Sequence, residues 1–256
     1  MRNVMLSIKL LFLFVLLTEA RETVGNYCPS SCSCNATVAT CVSSYLTEFP
    51  DERFPKQLQK LVISRNNITQ LGAFTIRNWM IISLKELNLS NNAINIIDGK
   101  SFIGQSGLEK LDLSGNNITT FPLETFVYPP HLKWLSLANN SELQVREHTP
   151  LLESDSLQVL HLEYCKIETI CITNLEKLVK LKELYLSHNK IKTLSTANRG
   201  EIDCLKNIRI LDVSYNELQK LPPEFVTLPK LEKVDVRYNK LGSLCEVQNV
   251  NEFCEA

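Results

Sequence analysis

Apolar and polar residues alternate in short bursts along this chain, and the bursts recur. A nine-residue frame, Leu-x-x-Leu-x-Leu-x-x-Asn, starts at Leu58, Leu84, Leu108, Leu132, Leu157, Leu181, Ile208 and Leu231. It closes at Asn66, Asn92, Asn116, Asn140, Cys165, Asn189, Asn216 and Asn239. Successive side chains of a strand point to opposite faces. In the second frame Leu87 and Leu89 therefore face one way, and Glu86, Asn88 and Ser90 the other. Each frame predicts one short strand. One strand cannot bury its leucines alone, but copies stacked about 4.8 Å apart share a core and form a parallel sheet. The closing Asn predicts a ladder of side-chain amides that satisfies buried backbone groups where the chain leaves the strand. Further apolar residues follow, such as Ile118 with Phe121 or Leu218 with Leu221, and then a bulky one: Phe74, Phe102, Phe126, Leu175 or Phe225. These predict an apolar spine behind the sheet, in irregular or briefly helical structure, because Pro122, Pro222 and Pro229 oppose long helices. The longest interval, from Leu181 to Ile208, predicts an outer-face loop over residues 195–201.

The frame, repeated at spacings of 23 to 27 residues, resembles the leucine-rich repeat. The resemblance implies an α/β solenoid with a curved parallel β-sheet on the concave face and an irregular or short helical convex side. Its eight repeats would cover residues 58–244. Cysteine in the closing slot, as at Cys165, is a substitution that the repeat tolerates.

The start of the chain reads as a processed segment. Arg2 and Lys9 lead into the apolar run 10–17, and Thr18-Glu19-Ala20 offers a small residue for cleavage, so residues 1–20 are expected to be a secretory signal peptide. The run is too short to span a membrane. No second apolar stretch of spanning length follows, which predicts a secreted, extracellular chain with no membrane span. Nine cysteines suit that oxidising compartment. Four of them, Cys28, Cys32, Cys34 and Cys41, crowd together, and spacing alone allows three connectivities. The cluster resembles the N-terminal cap of extracellular leucine-rich-repeat proteins, which shields the open end of the core and the first sheet edge. The resemblance places the cap at residues 21–57 and implies Cys28–Cys34 and Cys32–Cys41. A zinc site is the rival reading, disfavoured by the compartment. Cys171 and Cys204 sit at the offsets within their repeats that Cys245 and Cys254 occupy relative to the last one. That match predicts a Cys245–Cys254 staple, a Cys171–Cys204 clip and a free Cys165. Residues 245–256 would form a short C-terminal cap.

Five Asn-x-Ser/Thr sequons, at Asn35, Asn67, Asn88, Asn117 and Asn139, predict glycosylation confined to the front of the chain. A glycan on Asn88 would obstruct the second repeat's share of the concave face and leave the centre and rear for partners. Aromatic residues gather there. The expected partner-binding residues are Trp134, Val159, His161, Tyr164, Tyr185, Ile210, Asp212, Tyr215, Asp235 and Tyr238. Amphipathic aromatics are what protein interfaces favour. Val159 and Ile210 add exposed apolar area, and Asp212 and Asp235 beside Tyr185 suggest a partner with a cationic spot. In this family the slot before the closing Asn is often Tyr, His, Asn or Gly for packing around the turn. Tyr164, Tyr215 and Tyr238 thus have a structural reading beside the binding one. His161 and His188 fall in different columns with no third ligand, so no metal is expected.

Charge and motifs narrow the function. With 27 Lys and Arg against 28 Asp and Glu there is no basic surplus for nucleic acid. No phosphate-binding glycine loop, GxSxG or HExxH occurs, and neither a cofactor nor enzymatic activity is expected. The expectation is a secreted protein-binding module that recognises an extracellular protein, or a pathogen or matrix component, on its concave face, with homodimerisation open. The alternatives are an anchorless or truncated receptor ectodomain and a matrix protein resembling the small leucine-rich proteoglycans.

Overall fold

The computed structural model describes residues 28–51, 53–79, 81–195, 207–220 and 228–242. The expected signal peptide, Leu221, Phe225, the C-terminal cap and Cys204, Cys245 and Cys254 lie outside the described residues, as do the side chain of Cys171 and all but Ser195 of the expected loop. The strands, in chain order, are β1 (Ser33–Cys34), β2 (Val38–Thr40), β3 (Lys60–Val62), β4 (Gln70–Leu71), β5 (Glu86–Asn88), β6 (Ile96–Ile97) and β7 (Lys110–Asp112). Then come β8 (Trp134–Ser136), β9 (Val159–His161), β10 (Thr169–Cys171), β11 (Glu183–Tyr185), β12 (Thr193–Ser195), β13 (Ile210–Asp212) and β14 (Lys233–Asp235).

One ten-stranded sheet carries the repeats in the order β1-β2-β3-β5-β7-β8-β9-β11-β13-β14. From β2 onward every pairing is parallel and unshifted, so Leu61, Leu87, Leu111, Leu135, Leu160, Leu184, Leu211 and Val234 share one row. All of these except the last are buried to within a few per cent, and each leucine so buried contributes roughly 1.5–3 kcal/mol. The cap adds two strands that the repeat frame does not predict. Its β2 pairs with β3 as another repeat would, Ala39 opposite Leu61, and Ala39 and Cys41 are fully buried. The cap thus imitates a repeat with smaller side chains, and β1 closes it off in antiparallel pairing. Disulfides Cys28–Cys34 and Cys32–Cys41 tie it down, the pairing that the cap resemblance implies.

The Asn ladder has regular geometry. Nδ2 of Asn116 donates to the carbonyls of Leu89 (3.1 Å) and Leu113 (2.9 Å), while its Oδ1 accepts from the Ile94 N–H (3.0 Å). Asn140, Asn189 and Asn216 repeat this one coil on. Cys165 interrupts it with a thiol that donates to Leu137 O at 3.3 Å. In the fourth repeat the core residue comes one position late, at Leu143, and its N–H is spent on Asn140 O (3.0 Å). The N–H of that core residue is thus not offered to position 165, where the thiol takes the place of an amide. Asn174 fastens the same coil instead, donating to the carbonyls of Arg146 and Thr149 at 2.7 Å.

The return side is more ordered than the sequence predicts. Parallel pairs β4–β6 and β10–β12 run there, between short helical turns at Thr75–Asn78, Leu123–Phe126 and Ile172–Leu175. The spine runs through Phe102, stacked 5.8 Å from Phe126, and on to Leu175. Phe74 does not join it. Held at φ 61, it caps the Thr75–Asn78 helix half-exposed, with the Arg77 guanidinium 5.8 Å over its ring, and Ile76 takes the buried place. Trp79 is the buried aromatic of this coil: its indole packs edge-on against Phe49 and Phe54 at 5.3 and 5.4 Å and donates to Pro50 O at 3.0 Å. The first repeat therefore spends its aromatic residue on docking the cap.

Candidate binding face

The unshifted register aligns the outward side chains in columns across the sheet. The first residue of each strand gives one column, in which Trp134, Val159, Glu183 and Ile210 follow one another; the third gives the other, Ser136, His161, Tyr185, Asp212 and Asp235. The Trp134 and His161 rings lie 5.0 Å apart, and His161 stacks on Tyr185 at 4.4 Å with planes 4° apart. At the front end the Lys110 ammonium sits 4.3 Å over the Trp134 ring, a cation–π contact. Val159 and Ile210 are half-buried beside these rings, not exposed as the sequence suggests, because the neighbouring large side chains cover them.

Carboxylates surround this stack. Nδ1 of His161 lies 2.7 Å from Oε1 of Glu163, and the Tyr185 hydroxyl donates to Oε2 of Glu183 at 2.9 Å. Burial, then the hydrogen bond and charge of Glu183, and then Glu163 and Asp212, push the Tyr185 phenol up to about 12. Asp212 accepts from the N–H and hydroxyl of Ser214 at 3.0 and 2.7 Å. Asp235 differs. The Arg237 guanidinium grips both of its oxygens, at 3.0 and 2.5 Å, and holds the carboxyl below its usual range. Asp235 therefore does not supply the free negative charge that its position suggests. Glu183 and Glu163 stand with Asp212 in that role. Sequence reasoning passed over both, although each occupies an outward slot within two residues of an aromatic.

Tyr164, Tyr215 and Tyr238 are not on the strands. They follow the strand ends, in the slot before the closing residue, at φ 57, 52 and 57. His188 shares that slot at φ 56, and the four rings form a second stack spaced 4.3, 4.2 and 4.2 Å. The left-handed backbone there belongs to the turn, since Arg65, Asn91, Gly115 and Asn139 adopt it in the first four repeats. At Gly115, φ 64, an added Cβ would stand 2.6 Å from the Asn91 Oδ1. The three tyrosines are nonetheless 50%, 43% and 67% exposed, so packing uses only part of each ring.

Among the sequons, Asn35, Asn67, Asn117 and Asn139 are exposed. Asn88 is half-buried and engaged: its Nδ2 donates to Asp112 at 3.2 Å and its Oδ1 accepts from the Ser90 N–H and hydroxyl. Burial pushes the Cys165 thiol, free among the described residues, up to about 11. Among the described residues no group of three or more His, Cys, Asp or Glu is placed to hold a metal ion, and no helix is long and apolar enough to cross a membrane.

Comparison with known proteins places this geometry. The family profile described as leucine rich repeat matches residues 56–117, 82–141 and 155–198, and a second of the same description matches 207–228. Adenylate cyclase of Schizosaccharomyces pombe is 31% identical over 73% of this chain, a match covering 9% of that protein. Osteomodulin of Rattus norvegicus is 28% identical over 89% of this chain and 53% of its own length. The chain thus spans about half or less of these relatives. The crystal structure of human 5T4, trophoblast glycoprotein, superposes with a TM-score of 0.69 at 24% identity, over 85% of this chain and 82% of that one, and shares the fold.

Proposed function

The chain belongs to the leucine-rich-repeat family, and on that premise we propose that it is a secreted, non-enzymatic binding module that holds another extracellular protein against the rear half of its concave sheet face. The observation that carries this reading is the stack Trp134–His161–Tyr185, turned outward in the middle of the sheet and flanked by half-buried Val159 and Ile210. Large rings held in place by stacking bring contact area with little entropy left to lose, and a few such anchors carry most of an interface's energy. Tyr164, Tyr215 and Tyr238 would extend the surface along its rim. Export is supported by the leader-like residues 1–20 and by the cap disulfides, which need an oxidising compartment. Glycans on the exposed sequons Asn35, Asn67 and Asn117 would leave the rear strands open, one on Asn139 would border them beside Tyr164, and the bonded amide of Asn88 speaks against a sugar on the face itself.

The test is affinity capture from extracellular fluid with the mature protein and with a Trp134→Ala/Tyr185→Ala double variant. A protein recovered by the first bait and lost with the second is the expected result. Recovery of the same proteins by both baits would sink the proposal, and recovery of only the chain itself would redirect it to self-association.

A further inference from the structure

The two ends of the Trp134–His161–Tyr185 stack are finished differently. At the front, Lys110 places its ammonium over the Trp134 ring, 4.3 Å from the centroid. At the rear, the strand neighbour of Tyr185 in the same column is Asp212, an acid. The charges around that end are also unbalanced. Several acids elsewhere on the surface are matched to cations of the chain: Glu86 to Lys60 at 2.9 Å, Glu109 to Lys133 and Glu217 to Lys240 at 2.8 Å, and Asp235 to Arg237. Glu183 and Asp212 instead have hydroxyl and backbone N–H donors, which leave their charge in place. Asp112 too has amide, N–H and hydroxyl donors, but its column neighbours are Asn88 and Ser136 and no ring. Among the described residues the Glu163 carboxylate meets only the His161 ring. Its side chain is 19% exposed, and its Oε2 is buried with no donor among the described residues. Glu183 on the same coil and Asp212 on the next thus flank the open face of Tyr185, while Glu163 adds its charge from the His161 side.

We propose that this end of the stack receives an arginine of the bound protein, its guanidinium on the Tyr185 ring and its N–H groups shared between Glu183 and Asp212, with Glu163 adding negative charge from behind His161. It would repeat, from outside, what Lys110 does for Trp134 from within. Arginine suits the place better than lysine, because a planar guanidinium stacks on a ring while its fork pairs with carboxylates, and it sheds water more easily. The assignment rests on the reading of the sheet as the binding surface and adds the chemistry of the ligand's anchor.

Nona-arginine, nona-lysine and nona-glutamate peptides titrated onto the full mature chain at physiological salt test it, read by calorimetry. Nona-arginine binds tighter than nona-lysine by on the order of tenfold, and nona-glutamate does not bind. Glu183→Gln/Asp212→Asn, isosteric and able to keep the internal hydrogen bonds, weakens nona-arginine by at least about tenfold. Glu163→Gln weakens it in the same direction, and Glu109→Gln/Glu217→Gln, which removes two charges off the site, does not. Matching thermal midpoints show that the variants are folded. Equal binding by the arginine and lysine peptides, or equal losses in the two double variants, overturns the proposal. A captured protein that depends on Trp134 and Tyr185 but tolerates Glu183→Gln/Asp212→Asn overturns it too, and leaves the binding face standing.

Discussion

The front strands β3, β5 and β7 and the rear strands β8, β9, β11 and β13 share one backbone and differ in what they turn outward. In front, Lys60 pairs with Glu86 and Asn88 with Asp112, so the polar groups answer one another within the chain. In the rear, rings stack along the sheet and the acids beside them keep their charge. The inward rows hardly change between the two. A solenoid built this way separates its tasks: the leucines and the Asn ladder fix the shape, and the outward slots are free to carry a surface without cost to the core.

The sharpest break of that comparison is a front-half control on the capture experiment. Lys60→Ala/Glu86→Ala removes a surface pair and leaves partner recovery unchanged, where Trp134→Ala/Tyr185→Ala abolishes it; loss with the front variant would erase the distinction. Next in size is the ladder, where front and rear should agree. Asn116→Ala and Asn216→Ala each leave buried carbonyls and one N–H unpaired, which costs about 3 kcal/mol of unfolding free energy. Denaturant titration should give the two the same value to within about 1 kcal/mol. Tyr215→Ala deletes two ring contacts and lowers stability by about 2 kcal/mol. No loss would mean that the rim stack serves a partner alone. Gly115→Ala in the same slot is smaller, about 1 kcal/mol, from a left-handed backbone and a crowded Asn91 amide that can swing away. The smallest signal is optical. Tyr185 titrates near 12 where an ordinary tyrosine has 10.0, so the stabilisation of its neutral form is intact below pH 10 and fades as pH rises through 12. Phenolate absorbance should lose a late phase in Tyr185→Phe, and the same phase should move down in Glu183→Gln.

Periodicity carried the sequence reading a long way. Because each strand repeats at one register, the frame alone placed Trp134 beside Val159 and His161 beside Tyr185, and the closing residues in one ladder. Features that do not repeat were out of its reach. Trp79 meets Pro50 across the cap, a contact that no period announces, and Phe74 caps a short helix instead of joining the spine. Asp235 and Asp212 look alike in the columns. Only the side chain of Arg237, folded back two residues, compensates the charge of Asp235, while Asp212 has N–H and hydroxyl donors. The strand pairs on the return side arise because neighbouring coils lie close enough for their backbones to bond, whatever side chains they carry.

The rim stack has a use that does not depend on what binds. Tyr164, His188, Tyr215 and Tyr238 sit one per coil, with ring centres 4.2 to 4.3 Å apart. Rings so close couple their electronic transitions, and any bend or twist of one coil against the next alters that coupling. Near-ultraviolet circular dichroism would therefore follow the flexing of the rear coils directly, with the protein serving as its own strain gauge.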